Sequence, residues 1–141
     1  MRILGLDYGD KTIGVAVSDP FGWTAQGVEI IRRDNPAEYK KSLRRLAELM
    51  EEYQAERIVL GYPKNLDGSE GDRCEKTKAF CERIRNRFPK AEVILWDERF
   101  STIAAERSLR EAQLSHEKRK SVIDKMAAVH ILQGYLDSMQ K

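Results

Sequence analysis

The chain has 141 residues, the size of one domain, since two cores would leave about 70 residues each and be unusually small. Its 25 Lys and Arg against 23 Asp and Glu leave a formal charge of +2, so a polyanionic partner must be met by a local patch rather than by the field of the whole molecule. Hydrophobic residues at 41% exclude a largely disordered chain. No apolar run approaches the roughly 18 residues that span a bilayer, and Asp7 interrupts the first apolar stretch too early for a secretory leader, so a cytoplasmic location is expected.

Residues 2–7 are apolar and end in the turn chemistry of Tyr8, Gly9, Asp10 and Lys11; residues 12–18 then alternate Ile13, Val15 and Val17 with Gly14, Ala16 and Ser18, which predicts a hairpin. Residues 24–31 add a third strand after the turn Asp19-Pro20-Phe21-Gly22, completing an antiparallel meander. Asn35 has the chemistry of an N-cap with Pro36 at the first helical position, and Tyr39, Leu43, Leu46, Met50 and Tyr53 make one apolar stripe. A buried-type strand over 57–61 stops at Pro63, and a polar, glycine-punctuated loop over 64–71 follows. Thr77, Phe80, Cys81, Ile84 and Phe88 recur at helical spacing, and 92–96 reads as a fifth strand. Ser101 or Thr102 would cap a helix to about Ala112, and a last helix is expected from about Val122 to Met139. The stretch 113–121 between them reads as a polar, mobile connection. The prediction is an α/β fold, a five-stranded mixed sheet with a three-strand antiparallel meander plus two parallel strands, flanked by helices.

Cys74 and Cys81 are seven apart in a predicted helix, so their Cα atoms would lie about 10 Å from one another, too far to pair. Neither belongs to a C-x-x-C, and His116 and His130 have no zinc-site spacing, so both thiols are read as structural.

In such sheets chemistry gathers at the carboxyl ends of strands. Asp7 closes the first strand, Asp97 and Glu98 close the fifth, and Asp124 falls in the first turn of the predicted last helix, ahead of the small Ala127 and Ala128. A carboxylate at such a place needs a partner. A divalent cation is the plainest reason to assemble several, and hard oxygen donors suit Mg²⁺ or Mn²⁺. Two ions about 4 Å apart would serve phosphodiester hydrolysis. The bland alternatives are a turn cap for Asp7, a solvated strand end for Asp97 or Glu98, and a helix-start acid favoured by the macrodipole for Asp124.

Gly5-Leu6-Asp7-Tyr8-Gly9 with Thr12-Ile13-Gly14-Val15-Ala16, the run Gly61-Tyr62-Pro63-Lys64-Asn65-Leu66-Asp67-Gly68, then Asp97-Glu98-Arg99-Phe100-Ser101-Thr102 and Ile123-Asp124-Lys125-Met126-Ala127-Ala128 resemble, in order and over essentially the whole chain, the YqgF family. This family is also called RuvX, the Holliday-junction-resolvase-like or pre-16S rRNA nuclease family of bacteria. The resemblance implies a single ribonuclease-H-like nuclease domain over 1–141, metal-dependent chemistry and a role at the 5′ end of pre-16S rRNA. It also implies that Asp7, Glu98 and Asp124 are the catalytic, metal-binding acids. Related junction resolvases carry an acid at the fourth strand's end, where this chain has Gly61-Tyr62-Pro63, so the middle carboxylate must come from Asp97 or Glu98. Alternation puts these two on opposite faces, and the longer Glu98 is preferred for its reach.

Lys118, Arg119, Lys120 and Lys125 surround Asp124, and Lys11 and Arg99 flank the other acids, so all six are candidate phosphate contacts; solvated surface charge is the plain alternative. Asn65, with Asp67 and Ser69, could meet phosphate or ribose from the glycine-bearing loop. No aromatic cluster suited to stacking bases is visible in the spacing. The expected partner is nucleic acid, either pre-rRNA, including pre-ribosomal particles, or structured DNA. Competing readings are a non-catalytic nucleic-acid-binding module and nucleotide binding of the actin and sugar-kinase kind, for which 141 residues offer only one of two lobes.

Overall fold

A computed structural model describes residues 1–35, 38–63, 70–97 and 116–139, the first ten of the last segment by their helical backbone alone. The strands are β1 (Arg2–Tyr8), β2 (Thr12–Ser18), β3 (Ala25–Arg32), β4 (Ala55–Tyr62) and β5 (Glu92–Asp97), and the helices are α1 (Lys40–Glu52), α2 (Asp72–Arg87) and α3 (His116–Met139). The sheet order is β3-β2-β1-β4-β5. The meander pairs antiparallel, and β4 and β5 add parallel to β1 and to each other. This is the mixed sheet the residue pattern predicts.

Alternation along β1 divides the sheet into two faces. Leu4, Leu6 and Tyr8 join Ile13, Val15, Val17, Ile58, Leu60 and Val93 under α1 and α2, where Leu46, Leu49, Phe80 and Ile84 close the core. Ile3, Ala16 and Val59 face α3, which contributes Ala128, Ile131, Leu132, Tyr135 and Leu136. A Cβ on Gly5 would stand 2.6 Å from the Cβ of Leu132 and 3.2 Å from the carbonyl oxygen of Ala128. Only glycine lets α3 cross β1 at that distance. Gly134 meets Trp96 in the same way, with a would-be Cβ 3.2 Å from the indole nitrogen.

Two helix starts differ from expectation. Asn35 does not cap α1: its carbonyl accepts from the Glu38 N–H at 2.9 Å in a local turn, and the helix begins at Lys40. Tertiary packing overrides the cap chemistry, because the Tyr39 ring seats between Phe80, 6.2 Å away, and the Arg83 guanidinium, 3.9 Å away. The last helix begins at His116 rather than near Val122, so residues 116–121 are helix and not a mobile connection. Glu, Lys and Arg are good helix formers, and polarity excludes a segment from a core but not from a solvated helix. The helix expected over 101–112 lies outside the described residues. Cys74 and Cys81 are both free and buried on α2, in keeping with a structural role. Among the described residues no helix is long and apolar enough to cross a membrane.

Candidate active site

Asp7 is the penultimate residue of β1, half-buried, and faces Gly14 across the antiparallel pair. On its other side the parallel ladder runs Leu6 to Leu60, which makes Gly61 the next neighbour. Neither glycine puts a side chain beside the carboxylate. With Ile3 and Gly5, Asp7 shares the parity of the α3 face.

The same face brings position 124 toward Asp7. From the contact of Ala128 with Gly5, one turn back along α3 is about 5.4 Å and two residues onward along β1 is about 6.6 Å, and both steps lead toward the carboxyl edge of the sheet. Position 124 lies on the stripe of Ala128, Ile131 and Tyr135. It is the ninth residue of α3, not part of its first turn. That placement removes the helix-start explanation for Asp124, because the macrodipole acts within the terminal turn.

Asp97 ends β5 beside Tyr62 and is exposed. It continues the parity of Val93 and Leu95, which belong to the α1 and α2 face, while Ile94 and Trp96 face α3. Asp97 is therefore on the opposite face from Asp7. Glu98 lies outside the described residues, as do Asn65 and Arg99. Lys118, Arg119, Lys120 and Lys125 fall with Asp124 in the amino-terminal part of α3. Lys11 is exposed in the β1–β2 turn, one turn of chain beyond Asp7. Among the described residues no three Asp, Glu, His or Cys side chains stand close enough together to hold a metal.

Sequence reasoning missed the group that holds this turn in place. Arg33, 5% exposed, donates to the Tyr8 hydroxyl at 2.9 Å, to the Asp10 carbonyl at 2.8 Å and to the Gly9 carbonyl, while its backbone N–H donates to the Lys11 carbonyl at 2.8 Å. Its guanidinium lies 4.6 Å over the Tyr8 ring, which stacks on Phe80 at 4.2 Å. Burial, with a hydrogen bond to Tyr39, raises the Tyr8 phenol above its ordinary pKa, so it stays protonated as a neutral partner. A buried cation is tolerable when its terminal nitrogens meet acceptors in this way. The only signal in the sequence is a basic residue at a strand end, which is too common to single out. Two further cations approach the same turn from α2: Lys76 is 3.3 Å from the Asp10 carboxylate, and Arg73 is 3.5 Å from the Tyr8 carbonyl.

Tyr62 ends β4, next to the central strand and beside Asp97. Burial and a hydrogen bond with Glu70 push its phenol up to about 12, so it offers no anionic oxygen at neutral pH. The fourth strand thus supplies no charged ligand at its tip.

A family model described as RuvX, Holliday junction resolvase, matches residues 1–138. The chain is 56% identical over 137 residues to a protein of Agathobacter rectalis, covering 97% of this chain and 95% of that one. It is 56% identical over 141 residues to one of Desulforamulus reducens, covering the whole of both, and 55% identical over 139 residues to one of Bacillus subtilis, covering 99% of each. All three carry the name "Putative pre-16S rRNA nuclease". Among solved structures, the fowlpox virus resolvase in complex with Holliday junction DNA superposes with a TM-score of 0.63 at 17% identity, covering 100% of both chains. RuvC of T. thermophilus in complex with a Holliday junction substrate gives 0.60 at 12% identity, covering 99% and 96%. At such identities the likeness speaks for the fold, and it is the ribonuclease-H-like fold the motifs led one to expect.

Proposed function

From the premise that this chain belongs to the RuvX family, we propose that it is a nuclease that processes the 5′ end of pre-16S rRNA by divalent-metal-dependent phosphodiester hydrolysis in the cytoplasm. The observation that carries the reading is a family match over 1–138 coinciding with a carboxylate, Asp7, at the carboxyl end of the central strand. Asp7, Glu98 and Asp124 are the proposed ligands of two Mg²⁺ or Mn²⁺ ions, and their oxygen donors have the hardness those ions require. When bound, the ions supply an activated water and charge at the leaving oxygen.

The protein's own groups do the rest. Asp7 stands on a strand buried in mid-sheet, so its position is set by the fold and not by substrate. Asp97 is on the face away from Asp7, which disfavours it as the companion of Asp7 and leaves Glu98 as the proposed one. Asp124 approaches from α3, which Gly5 admits close to the sheet. Lys11, on the turn pinned by Arg33, and Arg99, Asn65, Lys118, Arg119, Lys120 and Lys125 are the proposed contacts to the phosphates and riboses of the strand being cut. The family's description also favours a second substrate class, a four-way DNA junction, which must be tested beside RNA.

The test uses a labelled pre-16S 5′ fragment and a four-way DNA junction, each with Mn²⁺, Mg²⁺ or chelator, and wild type beside Asp7→Asn. Cleavage of the RNA should require metal and fall at least about a hundredfold in the variant, with binding and melting temperature retained. Retention of RNA without cleavage would establish a binding module instead, and junction cleavage alone would move the substrate to DNA.

A further inference from the structure

The pole of the molecule opposite Asp7 carries an exposed apolar surface that the nuclease reading does not use. Phe21 and Trp23 are 78% and 65% exposed, and Met1 and Met139 are 54% and 50% exposed. Scattered single apolar residues on a surface are ordinary, but these four converge. With Ile3 and Leu136 they line a groove of about 300 Å³. A second groove of about 450 Å³, lined by Met1, Arg2, Pro20, Glu52, Tyr53 and Glu56, continues it past Met1.

The two aromatic rings are not loose. They sit on the β2–β3 turn with centroids 5.9 Å apart. One Asp19 carboxylate oxygen accepts from the backbone N–H groups of Trp23 at 2.7 Å and Thr24 at 3.1 Å. Asp19 N–H donates to the Thr24 carbonyl at 2.9 Å, and Gly22, at φ +74°, donates to the Asp19 carbonyl at 3.0 Å. From α3 the Gln133 side chain donates to the Trp23 carbonyl at 2.9 Å and accepts from the Ala25 N–H at 2.9 Å. An ordered turn that presents aromatic rings to solvent has already lost the entropy a flexible loop would lose on binding.

Charge identifies the occupant. Four carboxylates rim this surface: Asp19 and Asp137 beside Trp23, and Glu52 and Glu56 in the second groove. Against them stand Arg2, held 5.5 Å over the Tyr53 ring, and the amino terminus. Arg57, 3.7 Å from the Met139 sulfur, is paired with Glu92 at 3.0 Å. An acid-rimmed apolar surface repels a polyanion, so an RNA strand is disfavoured. A second copy docking isologously would set the same carboxylates against themselves. We propose that this pole is a docking surface for a basic segment of a partner protein that bears apolar side chains, with those side chains on Phe21, Trp23 and Met139 and its Lys or Arg against Asp19, Asp137, Glu52 and Glu56. β1 separates the surface from Asp7 by about 20 Å, so an occupant leaves the carboxyl edge of the sheet free. The inference does not depend on the nuclease reading.

Calorimetry of the full chain with three short probes tests it: a peptide alternating Lys and Leu, its Glu and Leu counterpart, and a single-stranded RNA oligomer. The basic peptide should bind, more weakly as salt is raised. Phe21→Ser and Trp23→Ser should each weaken it about tenfold, and the double change Glu52→Gln and Glu56→Gln about threefold. These side chains are exposed, so melting curves should match wild type, and Met139→Ser serves where a turn variant melts early. Equal binding of the acidic peptide would overturn the proposal in favour of an unspecific apolar surface. RNA binding lost in Trp23→Ser would make the pole a base-stacking site, and self-association abolished by Phe21→Ser would make it a contact between copies. Failure of the basic peptide to bind at millimolar concentration would also overturn it.

Discussion

The two faces of the sheet are built on different principles. Under α1 and α2 the filling is bulky: Phe80, Leu46, Leu49, Tyr8 and Leu60 occupy the space, and the helices stand off the strands by the size of those side chains. Under α3 the large side chains Ile131, Leu132, Tyr135 and Leu136 also fill space, but where the helix crosses β1 the strand side is Gly5, which lets Leu132 and Ala128 come against its backbone. Burial is the chief return on the first face, at about 1.5–3 kcal/mol for each large side chain. The second face gains less apolar area at that crossing and obtains closeness instead. A helix held within van der Waals reach of a strand backbone has little freedom to slide, and it is on this face that Asp7 and position 124 meet the same edge. Both faces bury large side chains and so contribute stability, and the close crossing at Gly5 adds placement.

The sharpest way to break this division is at the pair Asp97 and Glu98, of which Asp97 carries the parity of the α1 and α2 face. Glu98→Gln should reduce cleavage by orders of magnitude and Asp97→Asn by far less, measured as turnover on the same RNA. The reverse ranking would place the chemistry on the bulky face. Next in size come two core changes compared with each other. Phe80→Ala should cost about 3–5 kcal/mol in denaturant unfolding and leave the stabilisation by Mn²⁺ as it is in wild type. Gly5→Ala should cost only about 1–3 kcal/mol, yet diminish the Mn²⁺ effect as well, because Leu132 must move and α3 with it. If both changes left the Mn²⁺ shift untouched, closeness at Gly5 would have no bearing on the acids.

Smaller effects sharpen the picture. Asp124→Asn, nine residues into α3, should leave the melting temperature in chelator equal or higher, because crowded carboxylates repel one another, and should remove the gain from Mn²⁺. A lower melting temperature with an unchanged gain would make Asp124 a structural residue. On the other face, Arg45 of α1 grips Glu29 of β3 with contacts of 2.6 and 2.9 Å, and this hydrogen-bonded pairing holds the Glu29 carboxyl below its usual range. A lowered folded-state value contributes stability above the ordinary carboxylate pKa and loses it as the pH falls through the lowered one. Glu29→Gln should therefore melt slightly below wild type at neutral pH, with the gap closing in acid. The effect is small because the pair is solvent-accessible.

The sheet was legible because its signals are local. Ile13, Val15 and Val17 alternate, the runs 57–61 and 92–96 are continuous and apolar, and turn residues punctuate them, so a meander joined by two parallel strands needed only the rule for crossovers, while the order of the strands came from the structure. Asp7 was legible as an acid after an apolar run. What escaped depends on contacts distant in sequence. Tyr39 anchors α1 against Phe80 more firmly than Asn35 caps it, and the polar residues 116–121 are helical although no apolar periodicity announces them. Arg33 serves a turn 23 residues earlier. The pairing of Phe21 with Trp23 shows only as a turn in the sequence, because part of what fixes that turn, beside the local Asp19, is Gln133, 110 residues away. Alternation in the sequence leaves open which face Asp97 takes, and that it lies away from Asp7 follows from the register of β4 with β5.

Both thiols of the chain ride on α2, 0% and 1% exposed. Cys74 donates to the Pro63 carbonyl at 3.5 Å from the first turn of the helix, while Cys81 sits in its middle, where burial pushes its thiol up. Both thiols are shielded in the native state, and for Cys81 the reactive thiolate is scarce as well, so oxidants and alkylating reagents must wait for the helix to leave the sheet. Modification of Cys74 ahead of Cys81 would record fraying of one turn, and modification of both together the release of the whole helix. The molecule carries a built-in clock for its own opening, read at two positions along a single element.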